Sequence, residues 1–325
     1  MSVTTVSLDA LRAYWHPVAF SGDVTIKPHP AVLLDERLVL YRTESGVASA
    51  LKDLCIHRGT PLSLGSVEGE AIVCAYHGWS YDPRGTVLRI PSVSEDRRIP
   101  PKAKVDAYRV REQHGIVWVC SENETAAEIL DFPEFADPSF HTFATDDDYW
   151  NASAARLVEN FIDSAHFAWV HDGLLGHKER PLAPPITTQR DGNILDVRFK
   201  MEVGTAMHAG EYSDVHYEVG LPFTLRQLRT DPEGRQHVVF VAVSPIGSNR
   251  LRRFAYKMRN YDQDAPDEPY TERARTISDQ DRAIVEQQRP EELPVDLAAE
   301  LHIKGPDDPA LAYRKALAEL GVEVH

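Results

Sequence analysis

The chain has 325 residues, 42% hydrophobic and 26% charged, with 50 acidic against 35 basic residues for a net charge of −15. That length allows about two domains and a sizeable core, and the charge argues against broad contact with nucleic acid or an anionic membrane surface. No apolar run approaches the roughly 18 residues that span a bilayer, and the three cysteines predict a reducing cytoplasm rather than a disulfide framework.

The N-terminal MSVTTVSLDALRAYWHPV lacks the basic start and apolar stretch of an export signal, so a cytoplasmic location is expected. Within it, SLDALRAYW (7–15) predicts a short helix capped by Ser7. Strand-like runs then alternate with turns: RLVLYR (37–42), AIVCAY (71–76) and GIVWVC (115–120), with DPRG (82–85) as a hairpin turn. Cys120, closing the last of these strands, reads as a buried small hydrophobe.

Inside this β-rich stretch lies CIHRGTPLSLGSVEGEAIVCAYHGWS (55–80). Cys55 and His57 fall on one loop, Cys74 and His77 on the next. Structural zinc usually groups its ligands as C-x₂₋₄-C and H-x₃₋₅-H. Here each loop supplies one Cys and one His, which suits two irons, one taking both thiolates and the other both imidazoles. That is the Rieske [2Fe–2S] arrangement. The flanks agree, since Arg-Gly-Thr-Pro follows His57 and Gly-Trp follows His77. Small residues let backbone N–H groups approach the sulfides. Zinc, or four unliganded core residues, are the weaker readings.

From 121 to 148 the chain turns acidic and proline-containing and predicts a connection to a second unit. That unit opens with ASAARLVENFIDSAHFAWVHDGLLG (152–176), the clearest helical stretch. Asp163 and His166 would be neighbours on one helix face. His166 and His171 are five apart, about 140° around an ideal helix at 100° per residue. They would share a metal only if the helix widens by a π-type turn or ends at His171; two ordinary helix histidines are an equal alternative. Strands are predicted at 193–202, 212–219, 223–230, 235–244 and 250–258, with turns at DPEG (231–234) and SPIGSN (244–249). The pattern is helical again after 261. The order predicts an α+β domain whose antiparallel sheet wraps a long helix. Inward positions of those strands and of the late helix would line the pocket; His208 and Tyr261, considered as substrate contacts, read as packing or surface.

The C-x-H-x₁₆-C-x₂-H motif, followed by Asn160, Asp163, His166 and His171 as N-x₂-D-x₂-H-x₄-H, resembles the α-subunit of Rieske non-haem iron oxygenases. The resemblance covers essentially the whole chain, including the connector FPEFADP and the late acidic helix. The length resembles the vanillate and dicamba demethylase branch; DQDRAIVEQQRPEELP and LAYRKALAELG resemble the saxitoxin-pathway hydroxylases.

That resemblance implies an all-β Rieske domain (8–120) and a helix-grip, START-like catalytic domain (121–325). It implies a mononuclear Fe(II) held by His166, His171 and an Asp of ISDQDRAIVEQQ. Alignment with the late helix favours Asp281, and Asp279 also qualifies. The competing role for Asp281 is a capping box with Ser278 as N-cap. It further implies a head-to-tail trimer in which Asp163 bridges His77 of one subunit and His166 of the next, with Asn160 as a supporting donor. No G-x-G-x-x-G follows a strand, so electrons would come from a separate NAD(P)H-dependent reductase or a ferredoxin; Arg58, Arg84 and Arg89 near the loops would suit an acidic partner, or are simply solvated surface. The implied reaction uses O₂ to hydroxylate, or to O- or N-demethylate, a small organic substrate. Arene cis-dihydroxylation, and a non-catalytic Rieske electron carrier, are the alternatives.

Overall fold

The structure, a computed structural model, describes residues 3–145, 148–202 and 212–325, so His208 lies outside the described residues. Two compact units are present: Arg12–Ala126, and Met1–Leu11 with Ala127–His325.

The unit Arg12–Ala126 is all β. A six-stranded antiparallel sheet runs in the order His16–Phe20, Ile116–Cys120, Ala107–Gln113, Ala48–Lys52, Glu36–Arg42 and His29–Leu33. A second sheet is built from Ser66–Glu68, Ala71–Val73, Ser80–Tyr81 and Val87–Arg89. The residues between them form one cluster, in which Val39, Tyr41, Leu51, Leu62, Ile72 and Tyr81 are fully buried. Each such aliphatic side chain contributes about 1.5–3 kcal/mol through lost water contact. Cys55 and Cys74 belong to this cluster, so both thiols are anchored in packed core. Cys120 is fully buried too, its sulfur beside the Arg12 carbonyl at 3.5 Å.

In the other unit an eight-stranded antiparallel sheet follows the order His141–Ala144, Arg250–Arg259, Gln236–Gly247, Thr224–Thr230, Tyr212–Gly220, Ile194–Glu202 and Thr187–Asp191, with Asp148–Trp150 also pairing Arg250–Arg259. The turn expected at 244–249 is shorter, because the strand continues to Gly247. Thr4–Val6 pairs with Val322–Val324, and Leu8–Leu11 forms one helical turn whose Asp9 N–H donates to Ser7 Oγ at 3.2 Å.

Two helices frame the interior of this unit. Ala154–Ile162 is capped by Ser153, whose Oγ accepts from Arg156 N at 3.3 Å. The buried Arg156 and Arg314 are held by Glu159 and Glu300, with Arg156 Nη2 to Glu300 Oε1 at 2.8 Å and Arg314 Nη2 to Glu159 Oε2 at 2.8 Å. The helix expected to run through 152–176 stops at Ile162, since Asp163 has extended dihedrals (φ −84, ψ 122) and only Phe167–Val170 is helical beyond it. Near the C-terminus Glu268–Val285 is an unbroken helix of 18 residues, beginning ten residues before Ser278. Ser278 therefore cannot be an N-cap, and the capping-box role for Asp281 falls.

Candidate metal centres

The two loops of the first site are copies of one turn. In each, the residue four after the Cys is a glycine whose N–H donates to the Cys carbonyl: Gly59 to Cys55 at 2.8 Å and Gly78 to Cys74 at 3.0 Å. In each, the Cys N–H donates to the carbonyl five residues on, Thr60 at 2.7 Å and Trp79 at 2.9 Å. Both glycines have positive φ, +75 and +68, where a side chain would be strained.

The histidines sit two and three residues past their cysteines and so occupy different places on matched turns. Their ring centroids are 4.5 Å apart. His57 stacks on Trp79 at 4.6 Å, and His77 lies against Tyr76 at 3.8 Å. The thiols are buried while His57 is half-buried and His77 exposed. Desolvation, then His77 and Arg58, draw the His57 pKa below its usual value, which favours a neutral ring with a free lone pair. Its Nδ1 is buried and has no hydrogen-bond partner among the described residues.

Tyr81 completes this site. Its hydroxyl accepts from Ile56 N at 3.2 Å and lies 3.0 Å from Cys55 Sγ, placed to donate to the sulfur of a thiolate that holds a cluster. Burial, then Cys55, push the phenol pKa well up, which keeps it protonated.

A single zinc would draw four donors to roughly 3.5–4 Å of one another. Among the described residues only His166, His171 and Asp281 bring three donors within 4.8 Å of one another. The Cys and His pairs therefore do not surround one ion; buried thiols inside and imidazoles outside fit a two-iron cluster.

The second site forms where the broken helix meets Glu268–Val285. Asp163 Oδ1 accepts from Ala165 N at 2.7 Å, closing a turn, and Oδ2 receives His166 Nδ1 at 3.1 Å. The Asp163–His166 contact thus exists, but through a local side-chain turn and not the helix face expected. His166 and His171 stand at the two ends of Phe167–Val170, which brings their rings to 5.1 Å and removes the need for a widened helix. His171 Nδ1 meets Gln280 Oε1 at 2.8 Å. With Nδ1–H donating in both rings, each Nε2 carries a lone pair.

Those lone pairs face Asp281. His171 Nε2 is 2.9 Å and His166 Nε2 3.4 Å from Asp281 Oδ1, yet that oxygen accepts no aligned hydrogen bond. Three acceptors converging on one point fit a cation. Burial alone would lower the His166 pKa, but Asp163 and Asp281 outweigh it and lift it to about 9; burial would raise that of Asp281, but His166 and His171 bring it to about 2, so the pocket favours positive charge at His166 Nε2, a proton that a bound cation would displace. Ala274, Ile277, Ser278 and Asp281 share one helix face and line the cavity, whereas Asp279 is exposed.

The cavity encloses about 150 Å³ of free space and opens to solvent. Asn160 lines it together with His166, His171 and Asp281, and Phe161, Phe167, Val239 and Val241 make much of it apolar. Tyr261 does not line it but lies 5.8 Å beneath Arg235. Gln280 and Tyr81 carried no spacing signal; each is recognisable only from the ring or sulfur beside it.

Family models match on both sides: the Rieske [2Fe-2S] domain over residues 14–109 and the vanillate O-demethylase oxygenase C-terminal domain over 150–323. Methylxanthine N1-demethylase NdmA of Pseudomonas putida is 30% identical over 323 residues, covering 95% of this chain and 89% of its own. The structure of NdmA with caffeine superposes with a TM-score of 0.86 at 28% identity, covering 96% of this chain and 91% of that one. Dicamba monooxygenase bound to dicamba, at 20% identity, shares the fold with a TM-score of 0.80 over 97% of this chain and 98% of that one.

Proposed function

The chain belongs to the Rieske non-haem iron oxygenases, as an α-subunit of the vanillate demethylase branch, and on that premise we propose how its residues divide the work. Residues 8–120 hold the [2Fe–2S] cluster on Cys55, His57, Cys74 and His77. Residues 121–325 hold one Fe(II) on His166, His171 and Asp281. When bound, the cluster supplies single electrons and the mononuclear iron activates O₂.

The protein's own part is orientation and exclusion of water. Asp163 and Gln280 fix the two imidazoles through Nδ1, keeping each Nε2 lone pair directed at the metal. His166, His171 and Asp281 would hold the iron, and the cavity they line would admit O₂ and substrate to it. Phe161, Phe167, Val239 and Val241 give the substrate body an apolar berth. One oxygen atom of O₂ enters a C–H bond, and the other leaves as water with two electrons and two protons. On an N- or O-methyl group the resulting hemiaminal or hemiacetal releases formaldehyde, the outcome favoured by the demethylases among the relatives.

Electrons come from a separate NAD(P)H-dependent reductase or a ferredoxin, for which the exposed Arg58, Arg84 and Arg89 offer cationic surface. The working assembly is a cytoplasmic homotrimer in which the partly exposed Asp163 receives a neighbour's exposed His77. No helix among the described residues is long and apolar enough to cross a membrane.

The observation that carries this reading is the convergence of His166, His171 and Asp281 on the cavity. The test is turnover of a panel of methoxy and N-methyl compounds with a generic reductase, scoring formaldehyde against hydroxylated and dihydroxylated product. Wild-type rates in His171→Ala would overturn the metal assignment, and a diol as main product would favour dihydroxylation.

A further inference from the structure

Among the described residues, two partly buried cations of the cavity have no carboxylate paired with them. Register places Lys257 opposite Val239, in a row that continues to Gln227 and Tyr217. One row on, Arg229 is opposite His237. Lys257, Arg229 and His237 all line the cavity that holds His166, His171 and Asp281.

Neighbouring arginines are paired: Arg253 Nε lies 2.9 Å from Asp148 Oδ1 and Arg259 Nη1 2.9 Å from Asp267 Oδ1. Lys257 and Arg229 have no carboxylate partner among the described residues. The acidic group felt at Arg229 is Asp231, and that is taken by Arg235 at 2.7 Å. Arg273, which adds to the same positive field, donates to the Leu174 carbonyl at 2.9 Å and has no carboxylate partner among the described residues.

A chain with 50 acidic residues and a net charge of −15 has carboxylates to spare. Leaving two partly buried cations unpaired costs hydration without return, unless a ligand brings the opposite charge. Burial, then Lys257 and Arg229, hold His237 near a pKa of about 3, hence neutral, and its Nδ1 has no partner among the described residues. Burial, then Arg273 and Arg253, lower Lys257 to about 8, so it remains mostly charged at neutral pH.

We infer that the cavity takes an anionic substrate, a carboxylate or sulfonate on an apolar body, with Lys257 and Arg229 forming the headgroup subsite. The inference rests on the oxygenase reading and names the substrate class of that same site. Arg229 offers a planar fork for two oxygens and Lys257 a point charge. The neutral His237 supplies a hydrogen-bond partner between them. The apolar lining encloses the body, and the carbon to be oxidised meets His166, His171 and Asp281.

The test is equilibrium binding to the anaerobic, iron-loaded protein. Three matched probes are used: para-methoxybenzoate, para-methoxybenzenesulfonate and the uncharged para-methoxybenzamide. At least one anion should bind tenfold or more tightly than the amide, and which one does so distinguishes carboxylate from sulfonate. Lys257→Met should remove most of that ratio, weakening the anion far more than the amide, and should not lower the melting temperature, because it deletes an unpaired charge. Arg229→Gln repeats the measurement should Lys257→Met fail to fold. Equal affinity for amide and both anions, equal weakening of all three in either variant, or no binding of either anion at millimolar concentration would overturn the inference. Binding needs no turnover, so the two readings fail separately. Charge preference without any oxidised product sinks the oxygenase reading alone; turnover of the amide without charge preference sinks this one alone.

Discussion

Tyr81 is placed to tune the potential of a cluster held at Cys55. A Cys55 that holds a cluster is a thiolate with no proton to give, so across the 3.0 Å contact the hydroxyl donates to Sγ while it accepts from Ile56 N. A hydrogen bond to sulfur strengthens when the cluster gains an electron, because the acceptor becomes more negative. Bonds to charged acceptors exceed neutral ones by about 1–2 kcal/mol. Tyr81→Phe forfeits that preference for the reduced state. At 59 mV per factor of ten for a one-electron couple, the midpoint potential should fall by about 40–90 mV. The change keeps the ring that fills the fully buried core position, so the red-brown colour and the two cluster irons should persist. The Ile56 N–H loses its acceptor, at a cost of roughly 1–3 kcal/mol in stability. An EPR-monitored redox titration of both proteins measures the shift. An unchanged or raised potential with an intact cluster would refute the reasoning, since it would mean that the hydroxyl does not donate to the sulfur.

At the second site, Asp281→Ala should empty the mononuclear iron while leaving the Rieske spectrum intact, and Asp279→Ala should leave metal content unchanged; iron counts on both variants decide it. Gln280→Leu removes the acceptor that orients His171 and should weaken iron binding by roughly 10–100-fold, measured by competition with a chelator. Asp163→Asn keeps size but loses the carboxylate that receives His166, and should retain colour and most iron yet lose nearly all turnover in a steady-state assay. Light scattering across a concentration series should return the mass of three chains; a fully active single chain would remove the route through a neighbour's cluster.

How far the sequence could be read depended on which spacings carry physical meaning. Cys55, His57, Cys74 and His77 were legible because soft ligands on two loops leave few chemical alternatives. The helical stretch at 152–176 was only partly legible. Its apolar period persists past Ile162, but Asp163 satisfies Ala165 N with its own side chain and ends the helix there. That competition between a short carboxylate and the helical backbone is general, and here it ends the helix before His166, leaving His166 and His171 at the ends of the separate turn Phe167–Val170. The late helix lies within the stretch expected to be helical after 261, but its first ten residues, EPYTERARTI, are so polar that they leave room for a competing start at Ser278.

The cations of the cavity were hidden for a different reason. In Arg250–Arg259 the alternation sets Phe254, Tyr256 and Met258 on one face and Arg253, Lys257 and Arg259 on the other. A half-buried strand usually turns its apolar face to the core and its charges to water, which would put Lys257 outside. Here both faces are covered. The connector brings Phe132 onto Phe240 at 3.7 Å and Phe135 onto Tyr256 at 5.2 Å, so the aromatic face is sealed by the segment that links the two units. The charged face is then the one left to line the cavity with Lys257 and Arg253. Where the apolar face of a sheet is closed by its own chain, the polar face becomes the inside of a binding site, and its unpaired charges record the sign of what enters.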